Sequence, residues 1–164
     1  MRPGYFFVLL VMLSPKGEMF VIEQDTIKLL RECDAGIRMG VDSIDDVLDH
    51  VRDKRLKEYL TDSKRAHNRL DEELQELLDR YGDEGKEPGK MAKGMSCLKT
   101  SVKLKWDESD ATIADLMTDG CDMGVKSLSR YLNQYAAADE TSKDICKRLI
   151  ALEEKLGVQL REFL

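Results

Sequence analysis

The chain has few residues of the kinds that strands and turns need. Of its 164 residues, 6% are aromatic, one is Trp and three are Pro. Strands are usually runs of β-branched and aromatic residues bounded by turn residues, and no series of such runs occurs. This absence argues against an all-β protein and favours a mostly helical one. The length is that of one domain, which can bury an adequate core without a disulfide or a metal staple.

Residue patterns that carry chemistry are also scarce. The chain has two His and four Cys, and no two Cys have the CxxC spacing of a zinc ribbon or a thioredoxin-type motif. A glycine-rich phosphate loop and a nucleophile elbow are absent too. The sequence therefore favours a non-enzymatic protein. The cysteines are expected to be reduced, small apolar core residues, which suggests a cytoplasmic protein; they are Cys33, Cys97, Cys121 and Cys146.

The charge balance argues against a nucleic-acid partner. The net charge is −6 and the isoelectric point is about 5.1. Residues 86–105 are the exception, with six Lys and one Glu, which leaves −11 on the rest of the chain. An apolar stripe accompanies these lysines, at Met91, Met95, Leu98 and Val102. Either the stripe packs on the protein and the lysines are solvated, or Lys86–Lys105 bind an acidic partner, a membrane surface or a second copy.

The N-terminus carries an apolar run at residues 5–13. It is too short to span a bilayer as a helix, which needs about 20 residues. It could be the core of a signal peptide, although residues 14–17 offer no A-x-A-like cleavage site. Alternatively, Met19 is the natural start and residues 1–18 lie upstream of it. We treat residues 1–23 as an N-terminal extension, and the choice between Met1 and Met19 stays open.

The chain repeats itself. Residues 36–48 reappear 84 positions later as residues 120–132, with identical residues at six of thirteen positions. A related shift of 86 places Leu70, Leu74, Glu76 and Leu78 on Leu156, Leu160, Glu162 and Leu164. A duplicated helical hairpin is one way to build a four-helix bundle with a pseudo-twofold axis. The repeat therefore predicts which residues face each other across that axis.

Apolar residues alternate three and four apart over four segments, which predicts four amphipathic helices in one domain at residues 24–164. The predicted helices span residues 25–51, 54–81, 110–137 and 142–164. Asp53 is the expected N-cap of the second, Gly82 its stop, and Thr141 with Asp144 the capping pair of the fourth. Short connections predict two antiparallel hairpins. The crossover at residues 83–109, with a short helix, makes the second and third helices parallel.

This layout resembles the ferritin-like superfamily, and most closely its small bacterial four-helix bundles. The resemblance covers residues 25–164 and implies a metal centre at mid-bundle. Di-iron members take a Glu from each of two helices and a Glu-x-x-His from each of the others. The chain departs from that pattern, since Lys64 stands three residues before His67 and the fourth helix has no His.

A polar layer is nevertheless predicted in the core. Asp34 and His67 occupy core positions of the first two helices, at levels that counting from the turn places about 5 Å apart. The repeat maps them onto Thr118 and Glu153, with Cys121 adjacent. Either Asp34 and His67 form a buried hydrogen-bonded pair that fixes helix register, or Asp34, His67 and Glu153 bind one metal ion or form a degenerate di-iron or di-manganese site. Fe, Mn and Zn are the candidate metals.

Two glycine pairs fall inside the repeat, Gly36/Gly40 and Gly120/Gly124. A glycine inside a helix costs about 1 kcal/mol relative to Ala, so two matching pairs suggest a packing reason. We expect the backbones of the first and third helices to approach there; a ligand against bare backbone, or inheritance without present use, are the alternatives. The sequence as a whole predicts a non-enzymatic bundle for interaction or small-ligand binding, with a metal protein as the alternative and homo-oligomer formation open.

Overall fold

The structure is a computed structural model that describes residues 15–85 and 107–164, with side chains from residue 22 onward within those ranges. These ranges contain four α-helices, and no strand occurs in them. The helices are α1 (Pro15–Leu48), α2 (Lys54–Arg80), α3 (Asp110–Gln134) and α4 (Glu140–Leu160), followed by a 3₁₀ turn, Arg161–Phe163. The predicted all-α class is confirmed. The predicted crossover helix, its lysines and the apolar run at residues 5–13 lie outside the described residues.

The helix ends follow local capping chemistry. α1 begins at Pro15 rather than Asp25, and proline is well suited to a first helical position because its missing N–H would have no partner there. Asp53 caps α2 as predicted, since its carboxylate accepts from the N–H groups of Arg55 and Leu56. Beyond the end of α2, Gly82 has a φ of +64°, a left-handed conformation that glycine adopts without steric cost.

The predicted cap of α4 is wrong by two residues. Asp139 is the N-cap, and its carboxylate accepts from the N–H of Ser142 at 2.7 Å, whereas Thr141 is an exposed residue of the first turn. Either side chain could cap a helix locally. Tertiary contacts fix Asp139, because its N–H donates to the Thr26 hydroxyl at 2.9 Å and its carboxylate accepts from the Tyr81 hydroxyl at 3.2 Å.

Contacts at the two ends of the bundle fix the directions of the helices. The N–H groups of Arg52 and Asp53, in the α1–α2 connection, donate to the Asp110 carboxylate at the start of α3, each at 2.9 Å. At the other end, the bond from Asp139 to Thr26 places the start of α4 beside α1. Each short connection joins an antiparallel pair, so α2 and α3 run in one direction and α1 and α4 run in the other.

The four helices are not packed symmetrically. α1 packs against all three others, and α4 does so as well, whereas α2 and α3 have no comparable contact with each other. α1 and α4 therefore lie across the closer diagonal of the bundle, with Cα atoms within 8 Å of each other. The register between α1 and α4 is constant along the pair. At each of three contacts the residue of α4 lies 113 positions after the residue of α1: Thr26 with Asp139, Gly36 with Leu149, and Gly40 with Glu153.

The core consists of two apolar clusters. One lies toward the α3–α4 connection and includes Leu30, Ile37, Leu74, Leu78 and Leu149. The other lies toward the α1–α2 connection and includes Ile44, Leu56, Leu60, Ile113 and Leu160. Full burial of such a side chain contributes about 1.5–3 kcal/mol. No helix in the described ranges combines the length and apolar character needed to cross a membrane.

The buried positions of the two hairpins correspond. Under the shift of 86, six buried residues of α2 (Leu56, Leu60, Ser63, His67, Leu70 and Leu74) fall on six buried residues of α4 (Ser142, Cys146, Leu149, Glu153, Leu156 and Leu160). Under the shift of 84, Leu29, Leu30, Cys33, Ile37 and Ile44 fall on buried residues of α3. The exception on α2 is Leu78, whose counterpart Leu164 is exposed. The match is closer for α2 with α4 than for α1 with α3, where the buried residues Thr26, Asp34, Ala35 and Val47 fall on positions that are not buried.

Capping by Asp139 predicts unequal effects of two nearby substitutions. Asp139→Ala should lower the free energy of unfolding by about 1 kcal/mol or more, because it removes both the cap and the partner of the Tyr81 hydroxyl. Thr141→Ala should change it by less than about 0.5 kcal/mol, as is usual for an exposed residue. Urea denaturation measures both. Asp139→Asn keeps a capping side chain and should retain most of the stability; equal losses for Ala at positions 139 and 141 would contradict the assignment.

Candidate functional site: a buried histidine–glutamate pair

The most polar feature of the core is a side-chain pair that separates the two apolar clusters. His67 of α2 and Glu153 of α4 meet with 3.0 Å between Nε2 and Oε1. His67 has no exposed surface and Glu153 is 8% exposed. The sequence repeat aligned these two residues, and the fold brings them into direct contact. A buried ionisable group is costly unless it is paired, so each side chain supplies what the other requires.

The hydrogen bonds of the imidazole define where its protons lie. Nδ1 is 2.9 Å from the carbonyl oxygen of Ser63, and a carbonyl can only accept, so Nδ1 carries a hydrogen. The Ser63 hydroxyl is also near, at 3.4 Å. The bond between Nε2 and Glu153 then requires one further proton, held either by the ring or by the carboxyl. The pair is neutral overall in both arrangements, so it introduces no net charge into the core.

The surroundings favour the charged arrangement. Burial by itself lowers the pKa of His67, but the hydrogen bond and the charge of Glu153, together with the Ser63 carbonyl, raise it more, so the pKa lies above the ordinary histidine value of 6.5. The hydrogen bonds and the opposite charge together stabilise the imidazolium more than desolvation destabilises it. The site therefore favours the imidazolium–carboxylate arrangement over the neutral one.

Glycines provide the space for this pair. A Cβ atom at Gly40 would lie 3.0 Å from His67 Nε2 and 3.4 Å from Glu153 Oε1, and one at Gly124 would lie 3.4 Å from Glu153 Cδ. The repeat relates Gly40 to Gly124, so both copies of the motif border the same pair. The glycines were expected to let the backbones of the first and third helices approach, and these two helices do pack against each other, but the glycines themselves make room for side chains. The atoms nearest Gly36 and Gly40 belong to side chains, and Gly120 has no neighbour within 4 Å.

Cys121 of α3 completes the site. Burial raises the pKa of its thiol strongly, and the charge and hydrogen bond of Glu153 add to the effect. The thiol consequently keeps its proton and donates to the carboxylate, which makes it a structural donor and not an activated nucleophile. Thr118 does not join the layer as expected, because its hydroxyl donates to the Ala114 carbonyl of its own helix at 2.7 Å.

Asp34 belongs to a separate polar contact. Its carboxylate has no exposed surface and accepts from Gln75 Nε2 at 2.8 Å and from Arg38 Nε at 3.1 Å. The α1 residue that faces His67 is Gly40, six residues or about 9 Å along the helix. The predicted meeting of Asp34 with His67 is therefore not formed. Counting residues from the turn placed their levels too close. The residues of α1 and α2 that face each other are not equally far from the connection at residues 49–53.

The predicted ligands do not fit the dinuclear centre that the ferritin-like resemblance implies. Within residues 22–85 and 107–164, no group of three or more His, Cys, Asp or Glu side chains is placed to hold a metal ion. Asp34 is apart from the other two, and both ring nitrogens of His67 already have protein partners. The sequence did not predict Gln75 as a hydrogen-bond partner of Asp34. Nothing in the pattern marks Gln75 apart from its position next to the buried Leu74.

The glycine contacts predict opposite effects for two Gly-to-Ala substitutions. Gly120→Ala should raise the free energy of unfolding by about 0.5–1 kcal/mol, because it adds helix propensity where nothing obstructs a methyl group. Gly40→Ala should lower it by about 1 kcal/mol or more, because His67 is held by hydrogen bonds on both sides and cannot yield. Gly40→Leu should be worse still. Chemical denaturation gives the values, and a gain for Gly40→Ala would refute the packing account.

The raised pKa of His67 predicts a pH dependence of stability. The folded state holds the His67 proton more tightly than the unfolded state, so this stabilisation is complete below about pH 6.5 and is lost as pH rises through the folded pKa. The free energy of unfolding should therefore fall from about pH 6.5 upward, and His67→Gln should flatten the slope. His50→Gln is the matched control and should retain it. An NMR titration that places the folded His67 pKa below the ordinary value would contradict this prediction.

The chain was compared with known proteins at the level of family, sequence and structure. No protein-family model, no curated protein and no solved structure was found to match it.

Proposed function

We propose that the chain is a non-enzymatic, ferritin-like helical bundle that binds a partner or a small ligand and whose metal centre is degenerate. The observation that carries the proposal is the bond between His67 and Glu153, at the level where relatives of this layout hold metal. The two side chains satisfy each other. No buried side-chain nitrogen or oxygen atom in the described ranges lacks a hydrogen-bond partner.

The protonation of the pair supports this proposal. A histidine binds a metal ion through an unprotonated nitrogen, but Nδ1 donates to the Ser63 carbonyl and Nε2 shares its proton with Glu153. Metal entry would require loss of that proton and separation of the pair. Such a step costs the free energy of the hydrogen bond and of its charges, so the pair competes with a metal ion for the same atoms.

Duplication of one hairpin would explain how the pair arose. The matching buried faces under shifts of 84 and 86 support a pseudo-twofold bundle joined by a crossover along its length. His67 and Glu153 are equivalent positions in that scheme, so they would have been identical residues in a symmetric ancestor. Two like ionisable groups in contact repel or must neutralise. A histidine paired with a glutamate attracts instead.

The charge distribution supports association driven by opposite charges. Residues 86–105 carry +5 and the remainder of the chain −11. A basic segment of this kind suits an acidic partner, an anionic membrane surface or the acidic bundle of a second copy in a homo-oligomer. We place the protein in the cytoplasm on the use of its cysteines as reduced core residues. The three cysteines within the described residues are free and buried.

A metal-binding function is the second candidate. Its support is that two of the three predicted ligands, His67 and Glu153, are already in contact. A rearrangement that opened this contact would be required, with Asp34 brought from its place beside Gln75. The two candidates differ in metal content.

Metal analysis distinguishes the two functions. Protein produced with added Fe, Mn and Zn and then dialysed should contain less than stoichiometric metal, and His67→Ala and Asp34→Ala should not change that content, because the ligand atoms are engaged by protein partners. His50→Ala is the matched control for the loss of a histidine. Stoichiometric metal that disappears in His67→Ala and Asp34→Ala but persists in His50→Ala would reject the degenerate centre and establish the second candidate.

A further inference from the structure

The constant register between α1 and α4 brings two buried cysteines to the same level. The observed contacts between these parallel helices join residues numbered 113 apart, and Cys33 and Cys146 have that same separation. They precede the Gly36–Leu149 contact by three residues on each helix. A Cβ atom at Gly36 would lie 3.6 Å from Leu149 Cδ2 of α4 and 3.6 Å from Leu128 Cδ2 of α3, which are ordinary packing contacts. The two cysteines are thus on facing surfaces of closely packed helices.

The surroundings of the two thiols place them on the same side of the core. Cys146 Sγ donates to the Leu128 carbonyl at 3.7 Å, and the neighbouring Cys33 thiol lowers the pKa of Cys146. Neither cysteine has any exposed surface, and both belong to the same apolar cluster. The thiols of α1 and α4 therefore lie at the same level of the bundle, on helices that pack against each other.

We propose that Cys33 and Cys146 are a disulfide-forming pair that joins α1 to α4 when the chain folds in the presence of a low-molecular-weight disulfide such as oxidised glutathione. A disulfide needs Cα atoms roughly 4.4–6.8 Å apart, which is reached only where two helices pack closely. The diagonal pair α1 and α4 is closely packed, with Cα atoms of the two helices within 8 Å of each other. The bond would close a loop that contains α2 and α3 and would lie next to the level of the His67–Glu153 pair.

The chemistry is two successive thiol–disulfide exchanges. The Cys146 thiolate attacks one sulfur of oxidised glutathione, the S–S bond breaks, and one glutathione thiolate leaves. The Cys33 thiolate then attacks the Cys146 sulfur of the mixed disulfide and releases the second glutathione. The protein loses two electrons and two protons, and two molecules of reduced glutathione carry them away. The hydrogen bond from Cys33 lowers the pKa of Cys146, which makes Cys146 the first nucleophile.

Refolding in a glutathione redox buffer tests the pairing without relying on access to the buried thiols. The full chain is unfolded and reduced, refolded with oxidised and reduced glutathione, alkylated, and digested for peptide mapping under non-reducing conditions. The Cys33–Cys146 peptide should be the dominant linkage. The oxidised protein should melt at a higher temperature than the reduced protein, because the cross-link restricts the unfolded chain, and dithiothreitol should reverse the shift.

Matched variants separate this pair from the other cysteines. Cys121→Ala should leave both the linkage and the melting shift intact, since Cys121 lies beside Glu153 in the other apolar cluster. Cys33→Ala and Cys146→Ala should each abolish both. The proposal is overturned if Cys33 and Cys146 are recovered as free thiols, or are linked mainly to Cys97 or Cys121. It is equally overturned if the melting shift persists in Cys33→Ala.

Discussion

The proton between His67 and Glu153 is the constraint on which the rest of the bundle depends. A histidine and a carboxylate in the middle of an apolar core are tolerated only while they are in hydrogen-bond contact, because either charge alone would be buried without a partner. That requirement holds His67 of α2 and Glu153 of α4 at the same level. It also explains why the positions on either side of the pair, Gly40 and Gly124, carry no side chain. Register, glycine placement and the division of the core into two clusters follow from the same contact.

The second organising feature is the inequality of the two diagonals. α1 and α4 are in contact along their length, while α2 and α3 are not comparably packed. A bundle that was symmetric about the pseudo-twofold axis would have equal diagonals. Gly36 and Gly40 lie beside Leu149 and Glu153 of α4, whereas Gly120, the counterpart of Gly36, has no neighbour within 4 Å. The close diagonal holds a ladder of contacts formed by Thr26 with Asp139, Gly36 with Leu149, and Gly40 with Glu153.

Much of the architecture could be predicted from the sequence because it depends on local periodicity. The helices, the cap at Asp53 and the stop at Gly82 are set by residues within a turn or two of each other. The contact of His67 with Glu153 was accessible through the repeat, which placed them at equivalent positions. The position of Asp34 could not be predicted in the same way. An error of two or three residues in the register of a hairpin moves a side chain to another layer of the core. Its partners Gln75 and Arg38 therefore appeared only in three dimensions.

The sequence by itself determined that the protein is helical, that it has two hairpins of matching pattern, and which faces of the helices are apolar. These properties follow from spacing along one chain, and spacing is written in the sequence. Tertiary structure alone decided which polar residues share a layer, why Gly40 and Gly124 carry no side chain, that Asp139 and not Thr141 caps α4, and that Cys33 and Cys146 lie at one level of two packed helices. Each of those outcomes depends on the register and separation of helices far apart in the chain. Those quantities are set by the packing of the whole core, where a shift of one turn replaces one set of partners with another.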